Sequence, residues 1–254
     1  MAELKTVVEL ENIYFGYEGG ETVLNGLSFS LHEGEKIGLI GYNGSGKSTF
    51  LHVIMGLLKP SSGKIRVLGK PVMTRKDFLE VRRQIGLVFQ NADDQLFSPT
   101  VLEDVAFGPL NLGKSPRKAR RMAMETLEKL NLQGLEHRIA NKLSGGEKKL
   151  VSLATVLVME PMALLLDEPT TGLDEEARVR ITKLLNHLDI AMVIVSHEYD
   201  FLAEMTHRIY SMKGGRIEFD GDADTLHGHL HRHPTTRHPH QVGDLDSTRS
   251  LSAR

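Results

Sequence analysis

Two groups of residues in this 254-residue chain are suited to phosphate chemistry, and the first is a glycine-rich loop. Gly41-Tyr-Asn-Gly-Ser-Gly-Lys47-Ser48 has the spacing of a phosphate-binding loop, and it follows Lys36-Ile-Gly-Leu-Ile40, an apolar run typical of a buried strand. The glycines allow backbone N–H groups to point at a β-phosphate, Lys47 offers a positive charge to the β- and γ-oxygens, and Ser48 offers a hydroxyl to Mg²⁺. The residues predicted to line a nucleotide site are Gly41, Asn43, Gly44, Ser45, Gly46, Lys47, Ser48 and Thr49.

The second group is an acidic pair at the end of an apolar run, Leu164-Leu-Leu-Asp167-Glu168. A buried strand would deliver Asp167 beside the phosphate-binding loop to hold Mg²⁺ through water, and Glu168 would polarise an attacking water. A strand that ends in a solvated acidic turn is the simpler interpretation of this string in isolation. In a chain that also has a phosphate-binding loop, the pair favours hydrolysis of a nucleoside triphosphate.

The elements that must position these residues alternate between strands and helices. Apolar patterning predicts antiparallel strands near the N-terminus and a helix that begins near Lys47 and ends by Gly56. From about residue 91 to 145 the pattern becomes helical, with Ser115 as an N-cap before Pro116. Further helices are expected from 143 to about 159 and around 175–188, and strands at 163–166, 190–195 and 208–212. This order predicts an α/β fold, a P-loop NTPase core whose mixed sheet is parallel in its centre with antiparallel N-terminal strands, and an inserted α-helical subdomain.

The composition excludes several classes of protein. A net charge of -2 without a basic stripe gives no indication of a nucleic-acid partner, and the absence of cysteine excludes a disulfide framework. The most apolar segment, residues 150–159, is far shorter than the roughly 20 residues of a membrane span. Met1-Ala-Glu-Leu-Lys-Thr lacks the pattern of a secretory signal. If the chain serves transport, other chains must supply the channel.

Leu143-Ser144-Gly145-Gly146-Glu147, at a predicted helix start, resembles the signature motif of ABC transporter ATPases. Two glycines at such a start free backbone amides to meet an anion. The resemblance implies that this anion is the γ-phosphate of ATP held by a second subunit, with two Mg-ATP between two nucleotide-binding subunits. The dimer can be homomeric or heteromeric. Glu147 stands where the family usually has Gln, which leaves the contact of this side chain open.

Further positions match the same family. Gln90 resembles the glutamine that reaches Mg²⁺, Thr171-Gly-Leu-Asp174 resembles the D-loop of the dimer interface, and His197 resembles the histidine that contacts the γ-phosphate. Taken alone, each of the three has a simpler interpretation: a surface Gln, a turn and a His at the end of a strand. Tyr17 resembles the aromatic residue that stacks on adenine, and Tyr14 and Phe15 are the alternatives. The resemblance thus implies Glu168, His197, Lys47 and Gln90 as catalytic residues, Ser48, Gln90 and Asp167 around Mg²⁺, and Ser144, Gly145, Gly146 and Glu147 as the contact in trans.

Residues 91–109 resemble the ATPases of energy-coupling-factor importers, in which this stretch forms a groove for a helix of the transmembrane coupling subunit. Asp93-Asp-Gln-Leu-Phe97 resembles the cobalt and nickel members. The alternative is that the stretch merely packs the helical lobe, and both can be true. The resemblance implies an importer with a coupling subunit and a substrate-capture subunit in the membrane, and this chain at the cytoplasmic face.

The predicted ATP-binding domain spans residues 1–226, with the α/β core at 1–90 and 160–226 and the helical subdomain at about 91–159. Residues 227–254 have few apolar residues and predict a disordered tail. Its histidines could bind a transition metal, or be incidental in a solvated tail; they are His227, His229, His231, His233, His238 and His240.

Cobalt or nickel import is the expected function, and a vitamin importer is the main alternative. A soluble ABC ATPase that acts on ribosomes or DNA is disfavoured because the chain carries one motif set and has no room for a long coiled coil. A metal-storage protein would not need the intact hydrolysis set.

Overall fold

The computed structural model describes residues 5–222. An antiparallel four-stranded sheet with strand order β2-β1-β4-β5 covers one side of the molecule. Its strands are β1 (Thr6–Gly16), β2 (Thr22–His32), β4 (Ser62–Val67) and β5 (Lys70–Pro71). Val8, Leu10 and Ile13 are buried and pack with Phe50 of the phosphate-loop helix in one apolar cluster. This sheet therefore forms a wall behind that helix, as the alternating N-terminal pattern predicts.

The central sheet has six strands in the order β10-β9-β3-β8-β7-β6. All neighbouring pairs are parallel except β9 with β10. The inner strands are nearly continuous apolar runs because helices cover both faces of a parallel sheet. The strands are β3 (Lys36–Ile40), β6 (Ile85–Val88), β7 (Ala163–Asp167), β8 (Ala191–Val195), β9 (Arg208–Lys213) and β10 (Arg216–Asp222).

Seven α-helices lie in the described part of the chain. Side-chain caps define several of their starts: Ser115 accepts a hydrogen bond from the N–H of Lys118, and Thr74 and Ser144 form capping boxes. Short 3-10 turns occupy Ala92–Asp94 and Ala140–Lys142. The helices are α1 (Lys47–Ile54), α2 (Arg75–Gln84), α3 (Val101–Asn111), α4 (Pro116–Lys129), α5 (Gly145–Leu157), α6 (Glu175–Asn186) and α7 (Tyr199–Met205).

The mixed α/β fold confirms the predicted fold class. Helices α3, α4 and α5 lie between β6 and β7 in sequence and contact one another, while the exact domain boundaries stay a prediction. Within residues 5–222 no helix combines the length and the hydropathy that a bilayer span requires. The predicted histidine tail lies outside the described residues.

Strand order places three predicted site segments at one edge of the central sheet. β3, β8 and β7 are consecutive neighbours, and their carboxyl ends lead into the phosphate-binding loop, His197 and Asp167-Glu168 respectively. Ligand sites of open parallel sheets lie at this carboxyl edge.

Close packing of α5 on β6 requires glycine at position 86. A Cβ there would overlap Cγ1 of Val156 and lie 2.9 Å from Cδ2 of Leu164. We therefore expect Gly86→Ala to reduce the free energy of unfolding by about 1–3 kcal/mol in urea titrations. The double variant Gly86→Ala/Val156→Ala should lose less stability than the two single losses combined. Strictly additive losses would show that Val156 is not the obstacle.

Candidate functional site

The phosphate-binding loop connects β3 to α1 in a conformation that depends on glycine. Gly46 is the N-cap of α1 with φ 105°, a left-handed value that favours glycine, and a Cβ there would lie 3.0 Å from both Met212 and Val23. The buried Lys47 follows, and its Nζ donates to the carbonyl oxygens of Gly41 (2.7 Å) and Tyr42 (3.0 Å). The loop therefore curls around its own lysine at the start of a helix, where backbone N–H groups favour an anion.

A cleft of about 450 Å³ opens beside this loop. Most of the predicted nucleotide residues line it, whereas Gly41 and His197 line an adjoining cleft. The Ser45 hydroxyl is buried and has no hydrogen-bond partner among residues 5–222. The cleft is lined by Tyr17, Val23, Asn43, Gly44, Gly46, Lys47, Ser48, Thr49, Gln90, Asp167 and Glu168.

Tyr17, of the three aromatic candidates for base stacking, is the one that lines the cleft. Its side chain is half exposed, its hydroxyl lies 3.2 Å from Oγ1 of Thr49, and its ring packs edge-on against Phe15 at 5.0 Å. Phe15 is buried in the core and Tyr14 is not among the lining residues. An exposed ring face at this place is suited to a planar base.

The oxygen ligands in the cleft suit Mg²⁺. Asp167 is buried at the end of β7 and forms a side-chain hydrogen bond with Ser48, and the side chain of Gln90 borders the same space. Burial raises the pKa of the Asp167 carboxyl, and the Ser48 hydrogen bond opposes this shift. Among the described residues no group of three or more His, Cys, Asp or Glu side chains could hold a metal ion alone. A hydroxyl, an amide and one carboxylate match a cation that retains water and phosphate ligands.

Glu168 and His197 form a direct pair that the sequence motifs alone did not predict. Nδ1 of His197 lies 2.9 Å from Oε2 of Glu168, and the same oxygen accepts a hydrogen bond from Oγ1 of Thr171 at 2.9 Å. Glu168 is buried and has φ 46°, a strained value for a non-glycine residue. Its backbone N–H donates to the carbonyl of Val195 at 2.9 Å, which fixes the carboxylate beside β8. The imidazole, which lines the adjoining cleft, therefore lies directly beside the acid, which lines the nucleotide cleft.

The signature residues build the start of α5 and do not line the cleft. Oε2 of Glu147 accepts a hydrogen bond from the N–H of Ser144 at 2.8 Å, while Oγ of Ser144 accepts from the N–H of Glu147 at 3.3 Å. This capping box gives the Glu147 side chain its contact, which the sequence left open. Gly146 packs on α6, where a Cβ would lie 2.5 Å from Cβ of Ala177.

Asp174 caps the next helix. Its Oδ1 accepts a hydrogen bond from the N–H of Ala177 at 2.8 Å, which begins α6 directly beside Gly146. Asp174 of the predicted D-loop and the signature segment thus lie together, and neither lines the nucleotide cleft of the same chain.

Lys149 is a site residue that the sequence analysis missed. It is buried in α5, and its Nζ donates to the carbonyl oxygens of Gln90 (2.7 Å) and Phe89 (3.1 Å). Burial lowers the pKa of Lys149 to about 8, and the negative charges of Asp167 and Glu168 oppose the shift. The sequence Lys148-Lys149 gives no sign that the second lysine is buried. Its role becomes visible only from its contact with Phe89, 60 positions earlier in the chain.

Comparison with known proteins gives the family. The ABC transporter family model matches residues 24–171, more than half of the chain. The chain belongs to the ABC transporter family. A putative ABC transporter ATP-binding protein of Nitratidesulfovibrio vulgaris is 46% identical over 92% of this chain and 86% of its own length. The energy-coupling factor transporter ATP-binding protein EcfA of Methanocaldococcus jannaschii is 43% identical over 85% of this chain and 78% of its own length.

Solved structures agree with this assignment. CbiO1 of Clostridium perfringens, part of the cbiONQ transporter complex, superposes with a TM-score of 0.79 at 35% identity over 89% of this chain and 92% of its own. A dimeric ATP-binding cassette bound to ADP and phosphate has a TM-score of 0.75 at 30% identity over 85% and 98% of the two chains. The protein is an ABC-type ATPase whose ATP hydrolysis is coupled to transport, as the motif set predicted.

The capping box makes a pH-dependent contribution to stability. The Ser144 N–H holds the pKa of Glu147 below its usual value of 4.5, so this contribution is complete above that value and is lost as the pH falls through the lowered pKa. Glu147→Gln should therefore cost about 0.3–1 kcal/mol of unfolding free energy at about pH 7, at the low end because the group is partly solvated. The difference should shrink at about pH 4 in urea titrations. A difference of equal size at both pH values would contradict a charge-assisted cap.

Proposed function

We propose that this chain is the energy-coupling ATPase subunit of an importer for cobalt or nickel ions. The observation that carries the proposal is one cleft in which the phosphate-binding loop, Asp167, Glu168 and Gln90 meet, next to the apolar groove described below. The relative named EcfA and the structural neighbour CbiO1 support an energy-coupling-factor type of importer. The predicted histidine tail, outside the described residues, favours a transition metal as cargo.

The hydrolytic step is in-line attack of water on the γ-phosphorus of ATP, which breaks its bond to the β–γ bridging oxygen and releases ADP and phosphate. Lys47 turns from the loop carbonyls to the β- and γ-oxygens, and Glu168 accepts the proton of the attacking water. His197, held 2.9 Å from Glu168, orients this carboxylate and contacts the γ-phosphate. Ser48, Asp167 and Gln90 would hold Mg²⁺, which neutralises charge on the phosphates. The loop and the fixed carboxylate supply the alignment that makes attack effectively unimolecular.

The signature residues act on the nucleotide of a partner subunit. Ser144, Gly145, Gly146 and Glu147 lie outside the chain's own cleft, and the N-terminus of α5 presents backbone N–H groups on a face shared with Asp174. Two subunits in head-to-tail arrangement would bring each such face to the other cleft. A dimeric cassette among the structural neighbours supports this arrangement.

The membrane partner docks in an apolar groove of about 460 Å³ between α2, α3 and the end of α5. Phe97 and Phe107 line it with rings in edge-to-face contact at 4.8 Å, and their side chains are 66% and 45% exposed. Leu57 and Leu79, which also line the groove, add exposed apolar surface. The groove suits a helix of the transmembrane coupling subunit that has an apolar face, which supports a position of the ATPase at the cytoplasmic face of the membrane.

Glu168→Gln tests the hydrolytic step. The amide retains the size of the side chain but cannot accept the water proton, so we expect kcat to fall by at least about 100-fold with ATP affinity within about threefold of wild type. Steady-state hydrolysis and equilibrium nucleotide binding measure the two quantities. Glu128→Gln, on the exposed surface of α4, is the control and should leave both unchanged. A Glu168→Gln protein that hydrolyses ATP within threefold of wild type would remove Glu168 from the role of base.

Uptake of ⁶³Ni²⁺ and ⁵⁷Co²⁺ tests the cargo. In cells that express the chain with its native membrane partners, we expect accumulation of one of the two ions with wild type and none with Glu168→Gln. Absence of uptake for both ions, with ATPase activity intact, would contradict the metal proposal and favour a vitamin as cargo.

A further inference from the structure

Residues 89–95, which follow β6 and include Gln90, are attached to α5 by two side chains from opposite directions. Lys149 reaches from α5 and donates to the carbonyl oxygens of Phe89 and Gln90 at 3.1 and 2.7 Å. Its side chain is 3% exposed, so these bonds form away from water, where losing them leaves a buried charge unpaired.

Gln95 makes the second attachment from within the segment itself. Its amide oxygen accepts a hydrogen bond from the N–H of Phe89 at 3.1 Å. Its amide nitrogen donates to the carbonyl of Ser152 and to Oγ1 of Thr155, both in α5 and both at 2.8 Å. The amide nitrogen therefore joins the segment to the helix, while the amide oxygen closes the segment on its own first residue.

The two attachments bind both backbone polar groups of one residue, Phe89. The N–H of Phe89 is bound by Gln95 and its C=O by Lys149, so the backbone immediately before Gln90 has a fixed place against α5. A nearby third link, the ion pair of Lys148 with Asp93 at 2.6 Å, differs because its carboxylate is 61% exposed. Such an exposed pair contributes little to rigidity.

We infer that Gln95 and Lys149 are positioning residues that join Gln90 to the signature helix, so that the Gln90 side chain and the N-terminus of α5 move as one body. We call this pair the Q-segment clamp. The inference rests on the proposed role of Gln90 at the Mg²⁺ position. Phe97, which lines the apolar groove, lies two residues beyond Gln95. A displacement of Phe97 therefore moves Gln90 and the signature residues together. Lys149 also interacts electrostatically with Asp167 and Glu168, the two acidic residues that line the cleft.

The first test uses hydrogen–deuterium exchange of the full-length chain without nucleotide or metal. In Lys149→Met and in Gln95→Leu, we expect the amides of residues 89–95 to exchange at least about tenfold faster, while those of α6 stay at the wild-type rate. Lys149→Arg should restore most of the protection, because it retains a buried donor. Lys148→Met, which removes a charge one residue away, should stay within about twofold of wild type. If 89–95 keeps wild-type protection in both clamp variants, the clamp does not exist.

The second test measures the dependence of ATP hydrolysis on Mg²⁺ concentration. Outer-shell partners of a metal ligand typically contribute about 10–100-fold to metal affinity or activity. We therefore expect Lys149→Met and Gln95→Leu to raise the half-saturating Mg²⁺ concentration about tenfold and to lower kcat, with the KM for ATP within threefold. Wild-type values in a folded Gln95→Leu protein would overturn the inference, and this variant also covers the case in which Lys149→Met does not fold.

Gln90→Ala separates this inference from the proposed function on which it rests. If Gln90→Ala leaves the half-saturating Mg²⁺ concentration unchanged, the proposed role of Gln90 is wrong. If Gln90→Ala raises it and the clamp variants do not, the role of Gln90 stands and the clamp is overturned.

Discussion

The adjacency of β3, β8 and β7 in one parallel sheet is the constraint on which the rest of the site depends. The hydrogen-bond ladder continues beyond the strands: the N–H of Glu168 donates to Val195 at 2.9 Å, and the N–H of Ser196 donates to Leu39 at 3.2 Å. The three loops are thus held in register before any side chain contributes. The phosphate-binding loop, the acidic pair and His197 consequently meet at one edge, although about 150 residues of chain separate the first from the last.

A second constraint is that α5 carries both the signature segment and the lysine that binds the backbone of Gln90. Its N-terminus is the signature segment, capped by the reciprocal bonds of Ser144 and Glu147, and its next turn holds the backbone of Gln90 through Lys149. Close packing at Gly146 against α6 and at Gly86 against Val156 leaves this helix little freedom to move alone. In the proposed dimer, α5 would therefore connect the nucleotide of the chain's own cleft with the nucleotide contacted in trans.

Much of this arrangement could be predicted from the sequence because the motifs are contiguous and their spacing fixes local geometry. A loop with glycines at fixed offsets between an apolar run and a helix start has few conformations, and Leu164-Leu-Leu-Asp167 is typical of the end of a buried strand. The Ser144-x-x-Glu147 spacing is itself a capping-box signal, and either Glu or Gln at its last position can form the box. The pair of Glu168 with His197 and the contacts of Gln95 and Lys149 could not be predicted, since each joins segments that only the sheet order and helix packing bring together.

The central claim is that each chain carries half of two hydrolytic sites, which become complete when two subunits close around ATP. Sedimentation velocity of Glu168→Gln, in which bound ATP should persist, tests this claim most directly. With saturating ATP and Mg²⁺ the account predicts a dimer, and without nucleotide it predicts a monomer, because the contacts that close the dimer run through the γ-phosphate. Adding Ser144→Arg in the signature segment should dissociate the ATP-bound dimer. A protein that binds ATP and stays monomeric, when supplied alone and together with its native ATPase partner, would contradict it.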